Sequence, residues 1–227
     1  MRQKSPGTAQ TLKVNVARRS KKPPAGEGKT PPQRSGADES ELRIIGGEFR
    51  ARKLAYHGGA GTRPMKHRVR EAIFNLLGPS AKGKHAIDLF AGTGALGLEA
   101  LSRGSLSATF IERHIPTART VRENVQSLQV EHRCEIATAN AFIWARREPK
   151  LPDVPWLVFC SPPYDYYLEK TDEVLAMLEG LAARAPQESI FVVEADMRFE
   201  VEKLPQPEQW DVRRYPPAVV AIRGERG

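Results

Sequence analysis

Short apolar runs alternate with amphipathic segments from residue 85 to the C-terminus. The apolar runs predict strands at 85–90, 107–112, 133–138, 156–160 and 189–194. The segments between them predict helices at 95–103, 115–128, 140–147 and 167–183. This alternation is typical of a parallel α/β sheet with right-handed crossovers. Two last runs, at 209–215 and 218–223, predict an antiparallel pair at one edge, because only Pro216-Pro217 separates them.

The segment that precedes this sheet has its own pattern. Two β-prone runs flank Gly46-Gly47 within residues 42–54, which predicts a hairpin. A helix is predicted to open at Arg63-Pro64, because proline suits a first turn, and to end at Gly78-Pro79.

Residues 1–40 predict a disordered basic tail. Five prolines and few branched apolar residues leave too little apolar surface to offset the entropy of ordering. The tail holds nine Lys and Arg against three acids, so it carries +6 of the formal net charge of +8. Such a tail favours a polyanionic partner, nucleic acid first, although a solvated extension without a partner has the same composition.

Composition excludes several classes of protein. No apolar run approaches the roughly 18 residues of a membrane span, and the basic N-terminus lacks the apolar core of a secretory signal. Cys134 and Cys160, the only two cysteines, are too few for a disulfide scaffold or a zinc site. We therefore expect a reduced cytoplasmic protein with no metal and no membrane contact.

Residues 86–99 predict a strand that passes through a glycine turn into a helix. Gly92 and Gly94 allow a tight turn that a ligand approaches closely, and Gly97 lets the helix pack on the strand. Glu112 closes the next strand, where a carboxylate can accept hydrogen bonds from ribose hydroxyls. The spacing matches the dinucleotide-binding fingerprint, and an ordinary strand–turn–helix has it too.

Asp88 decides between the candidate ligands of this loop. Its carboxylate would repel a pyrophosphate but would suit the ammonium of a methionine moiety, so the loop favours S-adenosylmethionine over NAD. The alternative role for Asp88 is to cap local backbone amides. Asn140 follows the third strand, where it can contact an adenine edge, cap the next helix, or do both.

The strand at 156–160 ends in the rigid turn Ser161-Pro162-Pro163-Tyr164. Proline has no N–H, so carbonyls in this turn stay free to accept. A planar amine could donate to residue 161 and to the Pro162 carbonyl while Tyr164 stacks on the base, a contact worth roughly 1–3 kcal/mol. These four residues predict an in-line methyl transfer to an exocyclic amine, driven mainly by positioning. A plain Pro-rich loop after a buried strand is the alternative.

Together these motifs resemble those of the RsmD-type bacterial methyltransferases over roughly residues 42–200. The resemblance rests on Arg43-Ile44-Ile45-Gly46-Gly47, Arg63-Pro64, residues 68–75, residues 88–100 and Ser161-Pro162-Pro163-Tyr164. It implies a Rossmann-like class I fold whose seven-stranded, mostly parallel sheet has an antiparallel last strand and follows a small N-terminal β-hairpin. It also implies S-adenosylmethionine-dependent methylation of the N2 amine of one guanine in small-subunit ribosomal RNA.

The resemblance and the glycine loop together predict the residues that bind the cofactor: Arg63, Asp88, Phe90, Ala91, Gly92, Thr93, Gly94, Gly97, Glu112, Arg113, Asn140 and Ala141. The basic hairpin and the helix after it are expected to contact RNA phosphates through Arg43, Arg50, Arg52, Lys53, Lys66, Arg68 and Arg70. A solvated face with local ion pairs is the alternative for these basic residues. A base within folded RNA must be turned out to reach the pocket.

The chain departs from the family pattern in four places. Ser161 replaces an Asp or Asn, and its hydroxyl is shorter and uncharged, so we expect a weaker hold on an amine. Met65-Lys66-His67 follows Arg63-Pro64 where many members have Thr, a polar residue and Asp; Asn140 stands where Asp is frequent; Pro216-Pro217 replaces a glycine turn. We expect these changes to affect the rate or the target base rather than cofactor binding.

We expect three regions: a tail at 1–40, an RNA-contacting hairpin and helix at 41–80, and a methyltransferase domain at 81–227. The expected partner of a monomeric protein is ribosomal RNA or a small-subunit assembly intermediate. Three alternatives are an adenine-N6 methyltransferase on DNA or RNA, a ribosomal RNA-binding assembly protein with impaired catalysis, and an NAD oxidoreductase. Ser161 keeps the second open, and Asp88 disfavours the third.

Overall fold

The sheet predicted from the sequence is present in the computed structural model, which describes residues 41–57, 65 and 67–225. Its strands are β1 (His85–Asp88), β2 (Ser107–Ile111), β3 (Cys134–Ala137), β4 (Trp156–Cys160), β5 (Ile190–Asp196), β6 (Trp210–Tyr215) and β7 (Ala218–Arg223). Within the described residues they form one seven-stranded sheet in the order β3-β2-β1-β4-β5-β7-β6. Strands β1 to β5 are parallel, and β7 lies antiparallel between β5 and β6. The predicted mostly parallel sheet with an antiparallel last strand is confirmed.

The helices follow the predicted pattern with two differences. They are α1 (His67–Leu77), α2 (Ala95–Ser102), α3 (Ile115–Leu128), α4 (Ala141–Arg146), α5 (Tyr166–Glu169) and α6 (Thr171–Arg184). The prediction of one helix over 167–183 is wrong, because Lys170 has a φ of −134° that separates α5 from α6. The second difference concerns α1, which begins at His67 in the described residues, where Met65 is not helical. Arg63-Pro64, Lys66 and the predicted tail at 1–40 lie outside the described residues.

Each face of the sheet is covered by its own apolar cluster, as both faces of a parallel sheet require. Helices α1, α2 and α3 cover one face, where Phe74 packs against Phe159 of β4 with their ring centroids 5.7 Å apart. Helices α4, α5 and α6 cover the other face, where Tyr167 packs against Phe199 at 4.6 Å. The carboxyl ends of β1, β2, β3, β4 and β5 therefore meet at one edge between two helical layers.

The segment at 42–54 folds back on itself but does not form the regular hairpin that the sequence predicts. One antiparallel bridge joins Arg43 to Lys53, supported by backbone bonds from Ile44 to Arg52 (3.0 Å) and from Leu54 to Leu42 (2.8 Å). The turn is wider than Gly46-Gly47, because Ala51 donates to the Ile44 carbonyl at 2.9 Å and takes a positive φ of 67°.

The physical reason for the wide turn is that Gly46 and Gly47 dock on the end of α2. Glu99 is fully buried, and its two carboxylate oxygens accept from the backbone N–H groups of Ile45 (2.7 Å) and Gly46 (2.8 Å). Gly47 has a φ of +77°, and a Cβ placed there would lie 1.9 Å from the Ser102 carbonyl oxygen. The double glycine therefore serves a close approach of two backbones rather than a two-residue turn.

Three other expectations bear on the class of protein. None of the helices within the described residues is long and apolar enough to cross a membrane. The same residues contain no cluster of three or more His, Cys, Asp or Glu side chains arranged to hold a metal ion. Cys134 and Cys160 are free thiols, the second fully buried.

Candidate active site at the carboxyl ends of the strands

The glycine loop links the end of β1 to the start of α2. Gly92 and Gly94 have φ values of 55° and 80°, a left-handed conformation that glycine adopts without strain. The Gly94 N–H donates to the Ala91 carbonyl at 2.7 Å, which closes the turn just before α2 begins at Ala95. Thr93 is buried, and its carbonyl accepts from the Asn124 side chain of α3 at 2.9 Å. The loop is thus a rigid turn held on both sides.

Gly97 is required by packing rather than by backbone conformation. A Cβ at this position would lie 2.4 Å from Cε1 of Phe110, a fully buried residue of β2. The ring has no room to retreat within a close-packed core. The predicted role of Gly97, to bring the helix close to the sheet, agrees with this geometry.

Asp88 ends β1 beneath the loop and is 1% exposed. Its Oδ2 accepts from the Gly97 N–H at 3.2 Å. Burial, with a smaller contribution from the nearby Glu112 charge, raises the pKa of Asp88 to about 7, although the backbone bond from Gly97 opposes this rise. No cationic side chain among the described residues forms an ion pair with it at 4.0 Å or less. Asp88 is therefore a buried carboxylate that gains from the arrival of a cation.

Glu112 follows β2 and ties the glycine loop to the next connection. Its Oε2 accepts from the Gly92 N–H at 3.0 Å, and its Oε1 accepts from the His114 N–H at 2.8 Å. Each carboxylate oxygen has further lone pairs, so these bonds orient the group without using up its capacity to accept.

Asn140 caps α4 by accepting from the backbone N–H groups of Phe142 (2.9 Å) and Ile143 (3.3 Å), which confirms the helix-capping alternative. Ala141 is the buried first residue of that helix.

An aromatic cluster that the sequence analysis did not identify spans the neighbouring strand ends. Phe90, Phe142 and Tyr166 pack with ring centroids 5.8 to 6.1 Å apart. Two cations lie over the Tyr166 ring: Arg113 at 5.7 Å and the Lys170 ammonium at 5.3 Å. Phe90 and Arg113 were both predicted at the cofactor site, and the cluster places them on the same ring. Its other members come from helices whose relative positions the sequence pattern does not specify.

The proline turn stands at the end of β4, beside the glycine loop, because β1 and β4 are neighbours in the sheet. Pro162 is buried and Pro163 is exposed. Ser161 Oγ donates to Oε2 of Glu194 at 2.5 Å, and the Tyr164 hydroxyl donates to Oε1 of the same carboxylate at 2.6 Å. The turn is therefore held by a side chain of β5.

Glu194 is the functional candidate that the sequence analysis missed. It is 4% exposed, and burial raises the pKa of its carboxyl, although the bonds from Ser161 and Tyr164 oppose this. The register pairs Cys160 with Val193, so the residue after each lies at the same level of the sheet. The signal was a glutamate within the apolar run of β5, a position where charge is costly unless it has a partner.

The predicted RNA-binding residues are divided by the structure. Arg50, Arg52, Lys53 and Arg68 are exposed, and Arg43 is partly exposed. Glu41 pairs with both Arg43 and Lys53, while Arg52 donates to the Ser127 carbonyl and Arg68 to the Pro216 carbonyl. The prediction for Arg70 is wrong, because this arginine is fully buried and donates to the Arg43 carbonyl inside the protein.

Comparison with known proteins identifies the family. The profile of the family described as "Conserved hypothetical protein 95" matches residues 42–221. The Escherichia coli protein named "Ribosomal RNA small subunit methyltransferase D" is 35% identical over 81% of this chain and 87% of its own length. A Bacillus subtilis "Putative rRNA methyltransferase YlbH" is 31% identical over 70% of this chain and 85% of its own.

A solved structure carries the same fold. The "Putative methyltransferase yhhF" of Escherichia coli superimposes with a TM-score of 0.66 at 28% identity, over 82% of this chain and 98% of that one. The Rossmann-like fold inferred from the motifs is thereby confirmed. The chain belongs to the family described as "Conserved hypothetical protein 95", the RsmD-type methyltransferases that its motifs resemble.

Proposed function

We propose that this protein uses S-adenosylmethionine to methylate the exocyclic N2 amine of a guanine in small-subunit ribosomal RNA. The observation that carries the proposal is the placement of the glycine loop and the Ser161-Pro162-Pro163-Tyr164 turn at adjacent strand ends, after β1 and β4. A donor and an acceptor held there would lie side by side, at the edge where open α/β sheets bind ligands. The names of the 35% and 31% identical relatives support ribosomal RNA as the substrate class.

The residues of the glycine loop fit S-adenosylmethionine. Left-handed Gly92 and Gly94 leave the backbone bare where a ligand approaches, and Glu112 presents an oriented carboxylate suited to ribose hydroxyls. Asp88 offers a buried carboxylate with no ion-pair partner among the described residues, and its charged form suits a methionine ammonium. When bound, S-adenosylmethionine supplies a methyl group on a positively charged sulfur.

The proline turn would hold the target base. Ser161 Oγ and the Pro162 carbonyl each accept one hydrogen of an exocyclic amine, and the half-buried Tyr164 offers a ring on which the base can stack. An amine in this position becomes acidic only after it has gained the methyl group, so these residues need no strong base before the transfer. Their contribution is to align the amine, which is the part of the barrier that positioning lowers.

The N-terminal segment would contact RNA around the extruded base. Exposed basic side chains on two elements can neutralise phosphates: Arg50, Arg52 and Lys53 on the segment at 41–57, and Arg68 on α1. We propose that the region at 41–80 serves this contact and that the basic tail adds to it. Arg43 and Lys53 must exchange their ion pairs with Glu41 for contacts with phosphate, so part of the binding free energy that they contribute is offset.

Mapping of methylated nucleosides tests the proposed function. Small-subunit ribosomal RNA and assembly intermediates would be incubated with the protein and labelled S-adenosylmethionine, then digested for mass spectrometry. We expect label in N2-methylguanosine at one site. Label in N6-methyladenosine would favour the adenine alternative, and binding to the RNA without transfer would favour an assembly protein with impaired catalysis.

Removal of the Tyr164 ring should slow methyl transfer without weakening cofactor binding. We expect Tyr164→Ala to lower kcat/KM for RNA on the order of 100-fold, because a lost stacking contact is worth roughly 1–3 kcal/mol. Tyr164→Phe is the comparison variant, since it keeps the ring and removes the hydroxyl that donates to Glu194. Single-turnover kinetics and calorimetry with S-adenosylmethionine measure the two effects, and an unchanged rate in Tyr164→Ala would remove the ring from the site.

A further inference from the structure

Ser161 begins the proline turn after β4, and a buried carboxylate, that of Glu194, lies directly behind it. Glu194 belongs to β5, whereas Ser161 follows β4, and the parallel register brings them to the same level. Their oxygens are 2.5 Å apart. The uncharged Ser161-Pro162-Pro163-Tyr164 turn is thus backed by a carboxylate one side chain deeper in the protein.

We propose that Glu194 is a positioning residue that fixes Ser161 Oγ as a hydrogen-bond acceptor and thereby selects an amine as the group presented to the methyl donor. This inference rests on the proposed function, because it concerns how the same turn recognises its substrate. It assigns to Glu194 a role that neither the motif nor the position of the strand predicts.

The hydrogen-bonding capacity of a serine hydroxyl limits what Ser161 can offer a substrate. A hydroxyl has one hydrogen to donate and two lone pairs that accept. The hydrogen of Ser161 is committed to Oε2 of Glu194, so only the lone pairs remain for a substrate. Because the bond is to a carboxylate, it is charge-assisted and hard for a substrate to displace.

The second oxygen of Glu194 is also committed. The Tyr164 hydroxyl donates to Oε1 at 2.6 Å, so one carboxylate orients both the acceptor and the ring that would stack on the base. Asp196, on the same strand, places a negative charge near Glu194. The buried Cys160 and Tyr167 are also close enough to interact electrostatically with Glu194. No cationic side chain among the described residues forms an ion pair with Glu194 at 4.0 Å or less, so its two partners are hydroxyls.

This arrangement distinguishes amines from carbonyls. The exocyclic amine of a base brings two hydrogens, which match the Ser161 lone pair and the Pro162 carbonyl. A keto oxygen would face two acceptors and would remain unpaired in a desolvated site, which is unfavourable. Glu194 would therefore exclude keto groups by preventing Ser161 from turning its hydrogen toward them.

The variant Glu194→Gln tests the proposal with little change of shape. An amide has one acceptor oxygen and one donor nitrogen, so it cannot accept from both hydroxyls through its two ends, and one of them must reorient. We expect kcat for methyl transfer to ribosomal RNA to fall on the order of 100-fold, the scale of one lost positioned hydrogen bond at a reacting centre. The KM for RNA and the calorimetric affinity for S-adenosylmethionine should change less than threefold. Glu208→Gln is the matched control, because that carboxylate is exposed on a surface turn.

A rescue experiment separates positioning from a merely structural role. Ser161→Asp in the wild-type background places two carboxylates together and should be poorly active at neutral pH. In the Glu194→Gln background the introduced carboxylate can accept from the side-chain amide at position 194 and from the substrate amine. The kcat of the double variant should therefore be at least tenfold higher than that of Glu194→Gln alone. A structural role predicts a lower melting temperature in Glu194→Gln and no such recovery.

Two results would overturn the inference. One is an unchanged kcat in Glu194→Gln while Glu208→Gln and the wild type remain active, and the other is a double variant no faster than Glu194→Gln. Failure of the proposed function has a different signature, because the wild type itself would then place no label in guanine N2.

Discussion

Substitution of Asp88 by asparagine should weaken S-adenosylmethionine binding on the order of 100-fold at pH 8 while leaving the protein folded. The variant keeps one oxygen that can accept from the Gly97 N–H, so this bond between β1 and α2 is retained. What is lost is a buried negative charge, and a charge-assisted bond in a desolvated site is worth about 3 kcal/mol or somewhat less. Titration calorimetry measures the affinity. Asp211→Asn, on the edge strand β6, is the control for a lost carboxylate elsewhere.

The same carboxylate gives this prediction a pH dependence with a defined sign. Burial raises the pKa of Asp88 from 3.8 to about 7 in the unliganded protein. Affinity for a cationic ligand should therefore fall about tenfold for each pH unit below 7 in the wild type and stay flat in Asp88→Asn. Affinity in Asp88→Asn equal to that of the wild type at pH 8 would mean that Asp88 only caps the loop.

Stability moves in the opposite direction to affinity. A carboxyl whose pKa is raised on folding stabilises the protein below its unfolded pKa of 3.8, and this contribution is lost as the pH rises through about 7. Asp88→Asn should therefore raise the melting temperature of the unliganded protein at pH 8. Loss of ligand affinity together with a gain in stability is the signature of a charge retained for binding.

The sheet was predictable because its evidence is local. Each strand is a short apolar run between turn signals. The bounds of β4 and β7 match the prediction, and Ser161-Pro162 marks the end of β4 while Pro216-Pro217 marks the start of β7. The glycine loop was predictable for the same reason: a left-handed turn restricts the choice of residue at Gly92 and Gly94.

Contacts between segments distant in sequence were not predictable. Arg70 has the same local surroundings as the exposed Arg68, and only the packing of α1 on the sheet shows that one is fully buried and the other is not. Glu194 contacts Ser161, 33 residues earlier in the chain, only because the register of β4 and β5 brings the two side chains together. Gly46-Gly47 matched a hairpin turn, whereas its conformation is set by α2, more than 50 residues later.

This last contact should be one of the strongest single determinants of stability. Glu99 is fully buried, accepts from two backbone N–H groups and pairs with Arg103 at 2.8 Å. Glu99→Ala would leave both donors and the Arg103 guanidinium without their acceptor, and would remove the charge that opposes the desolvation of buried Arg70. Breaking a buried ion pair from one side costs about 3–5 kcal/mol, and we expect a decrease of that size in the free energy of unfolding in urea.

Glu99→Gln is the matched control. It retains one acceptor oxygen, so its free energy of unfolding should decrease less than that of Glu99→Ala. Gly47→Ala tests the same interface from the opposite side, since its Cβ would meet the Ser102 carbonyl oxygen at 1.9 Å. If Glu99→Ala and Gly47→Ala both act by detaching the segment at 42–54 from α2, the loss of unfolding free energy in the double variant should be clearly smaller than the sum of the two single losses. A fully additive double variant, or a loss below about 1 kcal/mol in Glu99→Ala, would show that the segment is held by its apolar contacts through Ile44 and Leu54 instead.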